Sequence, residues 1–133
     1  MTPEIEVRVA DPDDGRELVA WVRTVGDDVV VAVGGGERPH VGCVVMAVPV
    51  PSRRTPGTWS ASCSVLTIPP HKEEPMARGV ATRLASSCGR VAVVTAGVHD
   101  DDLDRAGIES YLRLADDLAN EVVRAVLEAA PST

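Results

Sequence analysis

Phenylalanine is missing from this sequence, and Trp21, Trp59 and Tyr111 are its only aromatic residues. The core must therefore be assembled from Val, Ala, Leu and Ile. Basic residues are also scarce, 13 against 20 acidic ones, for a net charge of −7. That balance lacks the cationic footprint that phosphate backbones and anionic lipid surfaces select, which argues against nucleic-acid and membrane-surface roles. No apolar run approaches the roughly 18 residues of a membrane span. The opening MTPEIEVRVADPDD has neither a basic n-region nor an apolar h-region and does not read as a secretory signal. Cysteine is limited to Cys43, Cys63 and Cys88, an odd number without C-x-x-C spacing. These read as reduced, buried thiols of a cytosolic protein rather than a zinc or redox site.

Two catalytic signatures are absent as well. GGGERPH, at 34–40, has no G-x-G-x-x-G spacing, no following Lys-Ser/Thr and no helix behind its glycines, so it is not a nucleotide cradle. No serine sits in a G-x-S-x-G elbow, which removes the usual hydrolase nucleophile.

What is present describes one domain over residues 1–133, long enough to bury roughly two thirds of its unfolded surface. Apolar alternation predicts strands over 5–10 and 16–25, joined by DPDDG, then DVVVAVGGG, HVGCVVMAVPV and WSASCSVLTI. The short connections imply an antiparallel β-meander of five strands. The period then shifts: Met76, Val80 and Leu84 recur every four residues with Ala77, Ala81 and Ala85 beside them, predicting a helix over 72–88 whose small-residue face can lie close on a sheet. Pro75 fits its first turn and Gly89 its stop. VAVVTAG follows as a sixth strand. A second helix is expected over 104–129, with the stripe Ile108, Tyr111, Leu112, Ala115, Leu118, Val122, Val126 and Ala129 and the i, i+4 pairs Glu109–Arg113 and Arg124–Glu128. This is an α+β layout, a meander followed by helix-strand-helix.

Strands VVVAV, VVMAV and VAVV are apolar on both alternating faces. Two helices cover one face only, so the other is expected to be buried in a homodimer joined through the sheet.

Chemistry can sit at the strand ends. His40, His71 and His99 each stand at one, beside Gly or Pro, either as one shared site or as separate turn residues. Lys72, next to the unpaired amides of a helix start, can hold an anion or can pair with Glu73 or Glu74 on the surface. Ser60, Ser62 and Ser64 share one face of a strand and can line a polar ligand or face water. Asp100, Asp101, Asp102 and Asp104 can cap the last helix or, with His99, bind a hard divalent cation. Arg53 and Arg54, in the proline-stiffened loop, can clamp an anion or remain solvated.

Taken together, GG-x-x-PH-x-G (35–42), P-x-PS-x-R (49–54), HKE (71–73) and TAG-V-H-D-D (95–101) resemble the LpdD-like family that accompanies UbiD-like decarboxylases. The resemblance spans about residues 16–129. It implies a cytoplasmic chaperone without turnover that binds reduced prenylated FMN and delivers it to an apo UbiD-like aromatic acid decarboxylase. It also implies a dimeric fold similar to proteasome-assembly-chaperone subunits. The positions it matches are His40, Ser52, Arg54, His71, Lys72, Glu73, His99 and Asp101. Lys72 and Arg54 are assigned to the phosphate on this reading, and the histidines, with the Ser62–Ser64 row, to the polar part of the ligand or to a divalent metal. Pro70 stands where the family pattern has glycine. Two other readings remain open here: a small metal-dependent enzyme using His40, His71, His99 and Asp101, and an assembly chaperone with no small-molecule ligand.

Overall fold

Side-chain size sets the layering. In the computed structural model, which describes residues 4–69 and 73–129, Ala77, Ala81 and Ala85 are fully buried where the first helix lies down on the sheet. The elements are β1 (Ile5–Ala10), β2 (Glu17–Val25), β3 (Asp28–Gly36), β4 (Cys43–Pro51), β5 (Trp59–Thr67), α1 (Glu74–Cys88), β6 (Ala92–His99) and α2 (Arg105–Ala129). Helix α1 carries Pro75 in its first turn and ends at Gly89, whose φ of 65° gives the left-handed C-terminal stop. The α+β layout read from the sequence is therefore present.

The meander is not. The sheet order is β1-β2-β3-β6-β4-β5, so β6 separates β3 from β4. It runs parallel to β3 and antiparallel to β4, with Val31 beside Val94 and Val45 beside the same Val94. A parallel neighbour needs a long crossover, and the β4-β5-α1 segment supplies it. Segment 40–42 is not strand either; β4 starts at Cys43.

Both helices lie on one face, α1 over β4, β5 and β6 and α2 over β1 and β2. That face holds the core: Leu18, Val22, Val29, Val31, Val45, Val80, Leu84, Val94, Leu118 and Val122 are buried. The face of α2 differs from the predicted stripe. Gly107, Ser110, Leu114 and Ala119 are buried, while Ile108 and Leu112 are each 50% exposed. The two expected intrahelical pairs are replaced by Arg113 to Asp11 at 3.6 Å and Arg124 to Glu121 at 3.5 Å.

Among the described residues no helix covers the opposite face of the sheet. Register places Trp21, Ala32, Thr95, Val44 and Leu66 in one row across it, and Arg23, Val30, Val93, Met46 and Ser64 in the next. Met46 is 41% and Leu66 75% exposed on it.

Candidate functional site

Segment 37–42 leaves β3 and folds back over that uncovered face. Gly36 makes the turn at φ +76°. The segment can lie flat because two sheet positions beneath it have no side chain. A Cβ on Gly34 would come within 3.0 Å of Pro39, and one on Gly97 would sit 1.7 Å from the carbonyl oxygen of His40. Backbone bonds fix the segment in place: the amides of Arg38, His40 and Gly42 donate to the carbonyls of His99, Gly97 and Ala96 at 3.2, 3.4 and 2.9 Å.

This brings His40 and His99 together. They line a cleft of about 400 Å³ with Arg38, Val41 and Ile68. Both ring nitrogens of His40 face acceptors: Nδ1 is 3.1 Å from the Arg38 carbonyl, and Nε2 is 3.3 Å from Oε1 of Glu73. Glu73, whose side chain is largely buried, also accepts from the Val98 amide at 3.4 Å, which ties the start of α1 to the end of β6. Nε2 of His99 lies 3.0 Å from Oδ1 of Asp101 and 2.9 Å from Nη2 of Arg38; Arg38 in turn is 2.8 Å from the same carboxylate oxygen. The His99 nitrogen donates to Asp101 in one protonation state and accepts from Arg38 in the other. The hydrogen bond from His99 and the charge of Arg38 hold the Asp101 carboxyl below the usual carboxylate range.

The remaining expectations divide. His71 and Lys72 lie outside the described residues. Ser62 and Ser64 are exposed on the uncovered face of edge strand β5, opposite Val48 and Met46. Ser52 and Arg54 are at the other end of the sheet: β4 runs nine residues from the cleft to their loop, roughly 26 Å along the strand. Within one chain Arg54 does not reach His40 or His99. Among the described residues no three of His, Cys, Asp and Glu converge as a metal-binding set.

Arg38 was not among the residues singled out from the sequence, although it stands inside GGGERPH. A second cavity was missed too. It measures about 470 Å³, on the other side of Pro39, and is lined by Arg16, Trp21, Gly34, Asp100 and Tyr111 among others. Asp100 anchors this side: it accepts from the Glu37 amide at 2.9 Å and the Tyr111 hydroxyl, and lies 3.7 Å from Nε of Arg16. Burial, followed by the hydrogen bond to Asp100, pushes the Tyr111 pKa up. A phenol raised by folding contributes stability that is complete below the unfolded pKa near 10 and lost as pH rises above it. Tyr111→Phe is expected to cost about 1.5 kcal/mol at pH 7 and lower Tm by roughly 5 °C. In thermal melts its gap to the parent should close above pH 10; a gap independent of pH would show that the hydroxyl carries none of it.

The profile of the prenylated flavin chaperone LpdD-like domain matches residues 13–127. The chain belongs to this family. A chaperone role comes with that membership. It is 28% identical over 118 residues to Protein LpdD of Lactiplantibacillus plantarum (strain ATCC BAA-793 / NCIMB 8826 / WCFS1), covering 82% of this chain and 76% of the relative. Its fold is similar to that in the crystal structure of a novel chaperone complex for yeast 20S proteasome assembly. The TM-score is 0.58 at 15% identity, over 96% of this chain and 99% of that one. At that identity the likeness concerns architecture alone: the α+β fold expected from the family resemblance. The segment across Gly34 and Gly97 thus lies in an LpdD-like domain, where His40 and His99 line one cleft and Glu73 meets His40 beside it.

Proposed function

We propose that this chain is a cytoplasmic homodimeric carrier that binds reduced prenylated FMN and hands it to an apo UbiD-like aromatic acid decarboxylase, without turnover of its own. The observation that carries this reading is the cleft where Arg38, His40 and His99 present cationic and hydrogen-bonding groups beside the exposed apolar side chains of Val41 and Ile68. A reduced flavin has that same division, with a polar ring edge and phosphate on an otherwise apolar body. Holding it in a fold limits its contact with bulk oxygen before transfer. Lys72, adjoining Glu73, would supply a further cation for the phosphate.

Anaerobic titration with reduced prenylated FMN, followed by visible absorbance and native mass, is expected to give a stoichiometric complex that ordinary FMN does not form. His40→Ala and His99→Ala should weaken it at least tenfold with circular dichroism unchanged. Tight uptake of a divalent metal alone, with turnover, would replace this reading by the metal-dependent enzyme.

A further inference from the structure

We infer that the cleft at Arg38, His40 and His99 is completed by a second copy of this chain, packed with its strands antiparallel about a two-fold axis on the uncovered sheet face, whose 52–58 loop brings Arg54 to it. The inference rests on the carrier reading for the identity of the ligand only; the geometry stands apart from it.

The cleft opens onto the uncovered face. His99 continues the row Val93, Thr95, Gly97 along β6 on that side. At its rim Val41 and Ile68 are 54% and 53% exposed, and Ile68 follows Leu66 on β5. From there Val44, Met46 and Val93 carry an apolar surface across the middle of the sheet. Six strands of up to nine residues make a face of roughly 24 by 26 Å, or about 600 Å² before side-chain relief, close to the ~800 Å² each partner contributes to a stable interface. A second copy therefore fits the area, and the same patch serves both partners, as a two-fold interface requires.

Orientation follows from the step that segment 37–42 makes. Lying over Gly34 and Gly97, it raises one end of the face and leaves the other end flat. An axis along the strands would set step against step and hold the sheets apart. An axis across the strands places each step beyond the low end of the opposite sheet, and the two faces close. That operation keeps each strand's lateral position, so the partner's loop between β4 and β5 meets the end of β4 and β5 where the cleft is. Arg53 and Arg54 are exposed in that loop, and neither has an ion-pair partner among the described residues. Arg38, by contrast, is already held by Asp101. The partner's Arg54 would bring a cation without an ion-pair partner among the described residues to an anionic group in the cleft.

Two measurements decide it. Val41→Cys with Arg53→Cys in one chain should give a covalent dimer on a non-reducing gel, without ligand, and neither single variant should. Separately, Arg54→Ala and His40→Ala should each lose at least tenfold in affinity for reduced prenylated FMN. Mixing the two after subunit exchange should restore about a quarter of the parent's sites, since half the dimers are mixed and each holds one intact site. Absence of the cross-link, unchanged affinity in Arg54→Ala, or no recovery on mixing would overturn the proposal. A cross-link in a protein that binds no prenylated FMN would leave the two-fold assembly standing and remove the carrier reading instead.

Discussion

Gly97→Ala is expected to destabilise the chain by about 2–4 kcal/mol and to abolish ligand binding at the cleft. The added methyl would lie 1.7 Å from the His40 carbonyl oxygen and 3.0 Å from its ring. Neither side can yield cheaply. β6 is a central strand bonded to β3 on one side and β4 on the other, and the obstructing atom is backbone, with no rotamer to change. Segment 37–42 must lift, which breaks the His40 amide bond to the Gly97 carbonyl and pulls Nε2 of His40 away from Glu73. Urea unfolding measures the first effect and flavin titration the second. Gly79→Ala is the control: it sits in α1 with open space where its Cβ would go, and a helical Ala there should be stabilising by about 0.5–1 kcal/mol. Equal behaviour of the two variants would mean that the segment does not rest on Gly97.

Local pattern made most of the elements legible. Alternation marked β1 to β6 within a few residues, and the period-four run with Pro75 and Gly89 marked α1. Strand order was another matter. Short connections favour neighbours, but the β3–β4 connection carries GGGERPH, and a loop that doubles back over the sheet leaves room for β6 between the two strands. Nothing local in VAVVTAG says that it pairs in parallel with VVVAV; only a strand apolar on both faces hints at a central place. The face of α2 was misjudged for a related reason. Gly107 and Ser110 mark its close approach to the turn between β1 and β2, where Leu103 and Arg16 crowd Gly107 and Ser110 donates to Asp11, and hydrophobicity alone gives such positions no weight.

The cleft was partly legible because strand ends are: β4 starts just after His40 and β6 ends at His99, and antiparallel pairing of these strands puts both at the same edge. By the same logic Arg54, one nine-residue strand away from His40, could have been placed at the opposite edge from the sequence alone. Arg54 is too far along β4 to join His40 and His99 within one chain, and the proposed assembly is what would bring it to them. A carrier also has to let go of its cargo. A site whose walls come from two chains can open by a small slip of one sheet on the other, without unfolding either.

For the proposed two-fold assembly, Met46→Asp is expected to leave a 14.0 kDa monomer, raising the dimer dissociation constant by about three orders of magnitude or more. Met46 stands near the middle of β4 on the uncovered face, so an axis across the strands passes close to it, and the two introduced carboxylates would be buried against each other with no cation in reach. The symmetry counts the cost twice, at several kcal/mol for each unpaired buried charge. The fold itself should hold, because Met46 is already 41% exposed within the chain and faces away from α1. Sedimentation at micromolar concentration reads the mass, and thermal melting under dilute, monomeric conditions reads the fold. Ligand affinity should fall in parallel with dimer content if the cleft is closed from across the interface. A parent protein that already sediments as a monomer would sink both expectations, and a monomeric variant with full affinity would place the whole site within one chain.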